Sequence, residues 1–397
     1  MNRFFLLLIT FFYAASIVQL SLYGAPKPVI VIEQSRLPSI YVAPISGADG
    51  AKLTDVLRND LIASGAFRVL DSEKEADFTT SIHHDAHEPS AYVLDKDHST
   101  IANAVVHAEL EALNRAAMHQ FADRIVEEIT GKPGIASSQL AFISSATGSK
   151  EVYIADIDGA NARQLTNDKV ISLGPKFSPN GETIAYTSYK SHFPDVWIID
   201  LESKKRKRVA FYPGINCQPA FSPDGRTIAL TLSKDGNTEL YTIDADGGSP
   251  QRLTRTRGTE ASPSWSPDGS EIAYVSDDRG TPQIYTIPAN GGEPTRIKTA
   301  SPYATDPAWS PDGKKIAYAA RVAGRFQIAM TDLASGQTSM LTEQGDSESP
   351  SWTRNSRHLV YARNGALYLL DSFTQKSLKI NSAPANCAEP HCYPYLP

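Results

Sequence analysis

Along most of the chain, short runs in which apolar and polar residues alternate are separated by clusters of Gly, Pro, Asn and Asp. A period of two predicts half-buried strands rather than helices. The runs also repeat as a unit. Pro175-Lys-Phe-Ser-Pro-Asn-Gly181, Pro219-Ala-Phe-Ser-Pro-Asp-Gly225, Pro263-Ser-Trp-Ser-Pro-Asp-Gly269 and Pro307-Ala-Trp-Ser-Pro-Asp-Gly313 are nearly identical, and Pro350-Ser-Trp-Thr-Arg-Asn-Ser356 is a worn fifth copy. Their first prolines are 44, 44, 44 and 43 residues apart. A fixed period in the forties filled with β-type residues predicts propeller blades.

Each unit predicts four strands. Pro-x-aromatic-Ser is a short strand, and Ser-Pro-Asp-Gly is a turn, because proline presets φ and glycine accepts a positive one. A second strand follows at Ile184, Ile228, Ile272, Ile316 and Leu359, and a third at Val196-Trp-Ile-Ile-Asp200 and its equivalents. A fourth ends in segments such as Arg252-Leu-Thr254. Leu140-Ala-Phe142 and Val152-Tyr-Ile-Ala-Asp156 lie 44 residues before their counterparts, which makes a sixth unit without an inner strand of its own. Pro390-His-Cys-Tyr-Pro394 repeats the proline spacing of Pro263 and Pro267. The C-terminus is therefore expected to supply the missing strand and close a six-bladed ring over residues 134–397. The aromatics Phe177, Phe221, Trp265, Trp309 and Trp352 are expected between sheets, and the repeated aspartates are read as turn formers.

Residues 26–131 carry no repeat. Val29-Ile-Val-Ile32, Ile40-Tyr-Val-Ala43, Phe67-Arg-Val-Leu70 and Phe78-Thr-Thr-Ser-Ile82 read as strands. Leu53, Val56, Leu57 and Leu61 recur at helical spacing, and Ser99 to Thr130 reads as one or two helices ending at Gly131. Mixed elements over this length predict a small α/β domain. Before it, Asn2-Arg3 and the apolar run Phe4 to Leu22 read as a signal peptide over residues 1–25, an uncleaved membrane anchor being the alternative.

Composition narrows the function. A net charge of −6 carries no basic excess, which argues against nucleic acid as a partner. Three cysteines do not make a disulfide framework, although Cys387 and Cys392 could pair in an oxidising compartment and leave Cys217 over. No nucleophile elbow, phosphate loop or dinucleotide fingerprint occurs, so no catalytic residue and no cofactor are assigned. His83-His84-Asp85-Ala-His87-Glu88, with His98, is the one cluster of metal-ligand type; it reads as a polar surface loop, and no metal site is assigned. Lys204-Lys-Arg-Lys-Arg208 reads as a solvated hairpin tip, contact with an anionic membrane surface being the alternative.

The repeats, together with Pro28-Val-Ile-Val-Ile-Glu33, Asp60-Leu-Ile-Ala-Ser-Gly-Ala-Phe67, Phe121-Ala-Asp-Arg-Ile-Val-Glu-Glu-Ile-Thr-Gly131 and the ending Pro390 to Leu396, resemble the TolB family of the Tol-Pal envelope system. The resemblance covers essentially the whole chain after the signal. It departs at Cys392, where a tryptophan is usual, and at Asp71 to Ser99, which is shorter than typical. It implies a monomeric, non-enzymatic periplasmic adaptor acting in outer-membrane constriction at cell division. That adaptor would hold the lipoprotein Pal on its propeller, the protein TolA through its N-terminal segment, and other envelope proteins besides, with only indirect association with the outer membrane. The expected TolA segment is Lys27, Val29, Ile30, Val31, Ile32 and Glu33, able to pair as an edge strand. The expected Pal site is the channel mouth, formed by the loops entering the innermost strands: Leu173, Ile215, Asn216, Gln218, Glu260, Ser262, Tyr303, Thr305, Asp306 and Glu348. Ile215 and Tyr303 are the candidate anchors. A propeller enzyme of peptidase or lyase type, or a carbohydrate-binding propeller, are the alternatives. The chain has no room for a hydrolase domain, and His192, His358 and His391 fall at unrelated blade positions.

Overall fold

Residues 37–84, 89–105 and 114–393 are described by the structure, a computed structural model. The signal segment and the expected TolA segment, Lys27 to Glu33, lie outside them. The first unit is a five-stranded sheet carrying two helices. In chain order it comprises β1 (Ser39–Val42), α1 (Gly50–Ala63), β2 (Arg68–Leu70), β3 (Phe78–His84), β4 (Pro89–Asp95), β5 (Thr100–Val105) and α2 (Arg115–Thr130). The sheet order is β2-β1-β3-β4-β5, with β1 parallel to both neighbours and β3-β4-β5 an antiparallel meander.

The helical spacing of Leu53, Val56, Leu57 and Leu61 puts all four on the buried face of α1, in one cluster with Phe121, Ile125 and Ile129 of α2. Burying a leucine of this kind stabilises by about 1.5–3 kcal/mol relative to exposure. Helix α2 opens on Asn114, whose side chain accepts the Ala117 N–H at 3.0 Å, and stops at Gly131, whose φ of 66° is the left-handed cap.

Two expectations for this unit are corrected. The helical pattern from Ser99 is a strand over its first part, because Thr100-Ile-Ala-Asn-Ala-Val105 completes the meander against β4 and that ladder overrides the weak strand preference of its alanines and asparagine. His83 and His84 end β3, paired with Ser90 and Pro89, rather than lying in a loop. The rest of that histidine cluster, Asp85 to Glu88, is outside the described residues; His98 sits in the β4–β5 turn at φ 57°.

Six four-stranded antiparallel sheets follow. Blades 2 to 6 begin with the inner strands Ser172–Phe177, Asn216–Phe221, Glu260–Trp265, Ala304–Trp309 and Ser347–Trp352 and run outward in chain order. Blade 1 takes its inner strand from the C-terminus. Cys387–Tyr393 pairs with Gln139–Ser144, followed outward by Glu151–Asp156 and Arg163–Gln164. The ring closes as the proline spacing predicts.

Between blades, the fully buried rings include Phe142, Tyr186, Tyr274, Tyr318 and Tyr361 of the second strands and Tyr241 of a third strand, each at most 1% exposed. Phe177 and Trp352 are buried as expected, whereas Phe221, Trp265 and Trp309 are only partly covered. Trp265 and Trp352 nevertheless tie blades together, donating to the Ala220 and Ala308 carbonyls of the preceding blade at 3.0 Å. The turn aspartates act locally: Asp224, Asp268 and Asp312 each accept a 2.6 Å hydrogen bond from the serine two residues before.

The cysteines do not pair. Cys387 and Cys392 are both free and lie five positions apart on one strand. That is roughly 16 Å of extended chain, beyond the ~7 Å Cα separation a disulfide tolerates.

Candidate partner-binding site at the channel mouth

Every inner strand carries the same irregularity. The residue before each blade proline, Gly174, Gln218, Ser262, Asp306, Ser349 and Glu389, has φ between 51° and 58°, and the ladder to the second strand shifts register there. A bulge of this kind turns one residue out of the ladder and re-aims its side chain and N–H. Six bulges, one per blade, form a ring around the channel waist.

Acceptors and small residues alternate around that ring. Glu389 accepts the N–H of Gly174 in the next blade. Gln218 Oε1 accepts the N–H of Ser262 at 3.0 Å, and its Nε2 donates to Ser262 Oγ at 3.1 Å. Asp306 receives both the backbone N–H and the hydroxyl of Ser349, the latter at 3.3 Å. Each long side chain thus satisfies an N–H that its neighbour's bulge has taken from the sheet.

Above the ring opens a cavity of about 660 Å³, lined by the bulge residues, all the blade prolines but Pro175, and Lys150, Lys176, Ile215, Cys217 and Glu348. A second, of about 240 Å³, lies at the other end under the blade tryptophans. Lys176 and Pro263 are among the few residues shared by both, so the Lys176 side chain stands in the channel between them. Burial pulls the Lys176 ammonium below its usual range, opposed by the charges of Asp306 and Glu389. Burial likewise pushes both of those carboxyls up, opposed at Asp306 first by Lys176 and at Glu389 by the Gly174 N–H, then Lys150 and then Lys176. Burial also raises the Glu348 carboxyl, followed by the charges of Asp306 and Asp346. His391 is held well below the usual imidazole range by burial and then by Lys176. Its Nδ1 accepts the Phe177 N–H at 3.2 Å, as a neutral ring can.

The ten residues expected at the mouth divide. Leu173, Ile215, Gln218, Ser262, Asp306 and Glu348 line the cavity. Asn216 does not; it is fully buried and its side chain holds the preceding loop, bonding Tyr212, Gly214 and Pro194. Glu260 is also fully buried, bonded to Thr256 and Ser276. Tyr303 packs on Phe326, with ring centroids 5.9 Å apart, and under the Arg321 guanidinium. Thr305 pairs in the ladder with Ala319.

Most of these positions belong to the inner strands themselves rather than to loops. The bulge breaks the period-two alternation, so pattern reading starts each strand too late, at its proline. Tyr189, which the sequence reading missed, lines the cavity beside Ile215, and further exposed apolar residues stand in the loops of blades 2 and 3. Phe193 is 70% exposed, Phe211 57% and Ile215 41%, with Ile171 and Tyr189 beside them in the same set of loops. Arg208 lies 4.2 Å over the Phe211 ring, and Arg206 of the same basic run pairs with Asp168. The run therefore continues into the outer strand Arg206–Ala210 and is partly neutralised there, instead of forming only a free hairpin tip. Apolar residues at turns gave a signal for Ile215; Phe193 and Phe211 carried the same signal. His192, His358 and His391 do not converge: a turn, the blade 6 sheet and the channel wall hold them separately.

A profile of the TolB β-propeller domain family (PD40) matches residues 126–396. The Tol-Pal system protein TolB of Syntrophotalea carbinolica is 34% identical over 214 residues, 46% of this chain and 50% of that protein. A TolB homolog of Chlorobium chlorochromatii is 47% identical over 79 residues, 20% of this chain and 18% of that protein. The chain thus aligns with half or less of the length of these curated relatives. Over a longer span, it is similar to the crystal structure of TolB from Acinetobacter baumannii, with a TM-score of 0.81, 26% identity, and coverage of 91% of this chain and 97% of that one.

Proposed function

The chain belongs to the TolB β-propeller family, and from that membership we propose that it is a non-enzymatic, exported adaptor of a Tol-Pal envelope system. The observation that carries this reading is the likeness to a solved TolB along 91% of the chain, which takes in the first unit as well as the propeller. Residues 26–131 would act as one domain and 134–397 as the other. No helix among the described residues is long and apolar enough to cross a membrane. The adaptor would work in the periplasm, reached by the signal segment, in outer-membrane constriction at division.

The Pal lipoprotein would dock at the channel mouth. An open cavity with a polar waist and an apolar crescent on one rim suits a contact with an apolar core and a polar periphery. TolA would take the segment Lys27 to Glu33 by strand addition. Affinity capture from envelope extract, with the whole chain as bait, tests the reading. Recovery of Pal and TolA supports it. Recovery of neither, alongside turnover of a glycan or peptide by the purified chain, would overturn it. Removing residues 26–36 separates the two surfaces: TolA should be lost and Pal retained.

A further inference from the structure

We propose that His119, Asp156 and Asp158 form a binding site for a divalent transition-metal ion of zinc type, bridging helix α2 to blade 1. His119 is 3% exposed on α2, and its Nδ1 lies 2.7 Å from Asp60 Oδ2 on α1. A carboxylate on Nδ1 fixes the ring tautomer and leaves Nε2 with a lone pair, which is how a metal-bound histidine is oriented. That Nε2 is buried, has no hydrogen-bond partner, and faces Asp156 Oδ2 at 3.9 Å. His119 Nε2 and Asp156 Oδ2 therefore face one another across a gap in which Nε2 has no donor, and a cation between them would satisfy both.

The donor set has the composition and spread such an ion needs. One ligand atom each from His119, Asp156 and Asp158 lies within 4.8 Å of the others. Tetrahedral ligand bonds of about 2.0–2.2 Å set donor atoms roughly 3.3–3.6 Å apart, so these side chains would close in on a central ion, leaving a fourth position for water. Charge points the same way. Asp156 and Asp158 face the ring against one guanidinium, that of Arg115, so these two carboxylates carry more charge than that one cation offsets. Arg115 pairs with Asp158, and its Nε lies 3.4 Å from Asp156 without a hydrogen bond. Its side chain is 28% exposed and can swing to solvent when the ion enters. Asn161 Nδ2 donates to Asp156 Oδ2 at 2.8 Å and the Ala160 N–H to Asp158 Oδ1 at 3.1 Å, which hold both carboxylates in place.

Zinc titration of the full chain at pH 7.5 against a chromophoric chelator tests the site, with cobalt as a spectroscopic substitute. One equivalent should bind, Asp158→Asn should weaken it at least tenfold, and Asp60→Asn, which touches no metal, by about 10–100-fold. The Asp158 side chain is 36% exposed, so its variant should stay folded in chelator and remain informative if His119→Gln fails to fold. His83, His84 and His87 are the competing ligands, and their joint replacement by Ala should leave the equivalent in place. Binding that survives Asp158→Asn but disappears with that triple change overturns the proposal. So does the absence of saturable binding, with nitrogen NMR showing a proton on His119 Nε2.

Discussion

Glu389, in the last strand of the chain, accepts the backbone N–H of Gly174, 215 positions earlier, and so joins blade 1 to blade 2. On the other side of the same strand, Cys392 N–H donates to Ser351 Oγ of blade 6 at 3.0 Å. One strand therefore pairs in its own sheet and bonds to both neighbours. Removing residues 388–397 should strip the inner edge of blade 1 and uncover Leu140 and Phe142, at a cost on the order of several kcal/mol. A thermal melt of the truncated chain reads this directly. An unchanged midpoint would mean that the ring does not depend on its closing strand.

What the sequence made legible follows from repetition. Pro390 and Pro394 reproduce the spacing of Pro263 and Pro267, so the closing strand was visible although it lies more than two hundred residues from its partner. The waist ring was not visible, because Gly, Gln, Ser, Asp, Ser and Glu share no propensity that marks a left-handed bulge. Only their common position before proline unites them. Strand β5 was misread because its small apolar residues also suit a helix until β4 offers a ladder. Asn216 and Glu260 sit beside true cavity residues in sequence, yet alternation turns their side chains into the blades.

The cysteines give a chemical prediction. Burial pushes the thiols of Cys217 and Cys392 up to about 12 and that of Cys387 to about 11, so little thiolate forms at neutral pH. Ellman's reagent should react slowly with the native protein and with three thiols after denaturation without reductant. A count of one would establish a disulfide, and a Cys387–Cys392 bond would require a different closing strand.

Glu239 and Glu260 are both fully buried between blades 3 and 4. Arg252 neutralises Glu239 at 2.7 Å, whereas Glu260 is held by the Thr256 and Ser276 hydroxyls and lies against the Glu239 carboxyl. Burial, and then the charge of Glu239, push the Glu260 carboxyl up to about 7 from 4.5. Between those values the folded chain holds a proton that the unfolded chain releases. Stability should therefore be full below pH 4.5, fall as pH rises toward 7, and level off above, by roughly 2–3 kcal/mol from this group. Urea unfolding of the parent and Glu260→Gln at several pH values isolates the term. A slope that persists undiminished in the variant would assign it to other groups.

At the mouth, Ile215 and Tyr189 are exposed and line the cavity. Replacing both with Ala should weaken Pal binding by roughly 1–4 kcal/mol if they are anchors, with melting nearly unchanged. Tyr303→Ala should cost less binding and more stability, since its ring packs on Phe326 and Arg321. Calorimetric titration with purified Pal measures both. Undiminished affinity in the double variant, with loss on charge reversal of Lys204 to Arg208, would move the site to the outer edge of blade 2.

Lys176 supplies the last prediction, because it is the cation that faces two carboxylates in the closed part of the channel. Replacing it with Met keeps the length of the side chain and removes the charge, leaving Asp306 and Glu389 to repel one another. No direct ion pair is broken, so the cost should be roughly 1–3 kcal/mol, below the ~3–5 kcal/mol for stranding one partner of a bonded buried pair. Both carboxyls already lie above their usual range, and losing the ammonium raises them further. Protonation then favours the folded variant, which should regain stability as pH falls through the carboxylate range. Asp306→Asn added to Lys176→Met should recover much of the loss at neutral pH, since it removes one of the two opposed charges. Urea melts of the single and double variants at pH 5 and 8 measure the cycle. A Met variant as stable as the parent at both pH values would show that water in the channel, rather than Lys176, offsets the two acids.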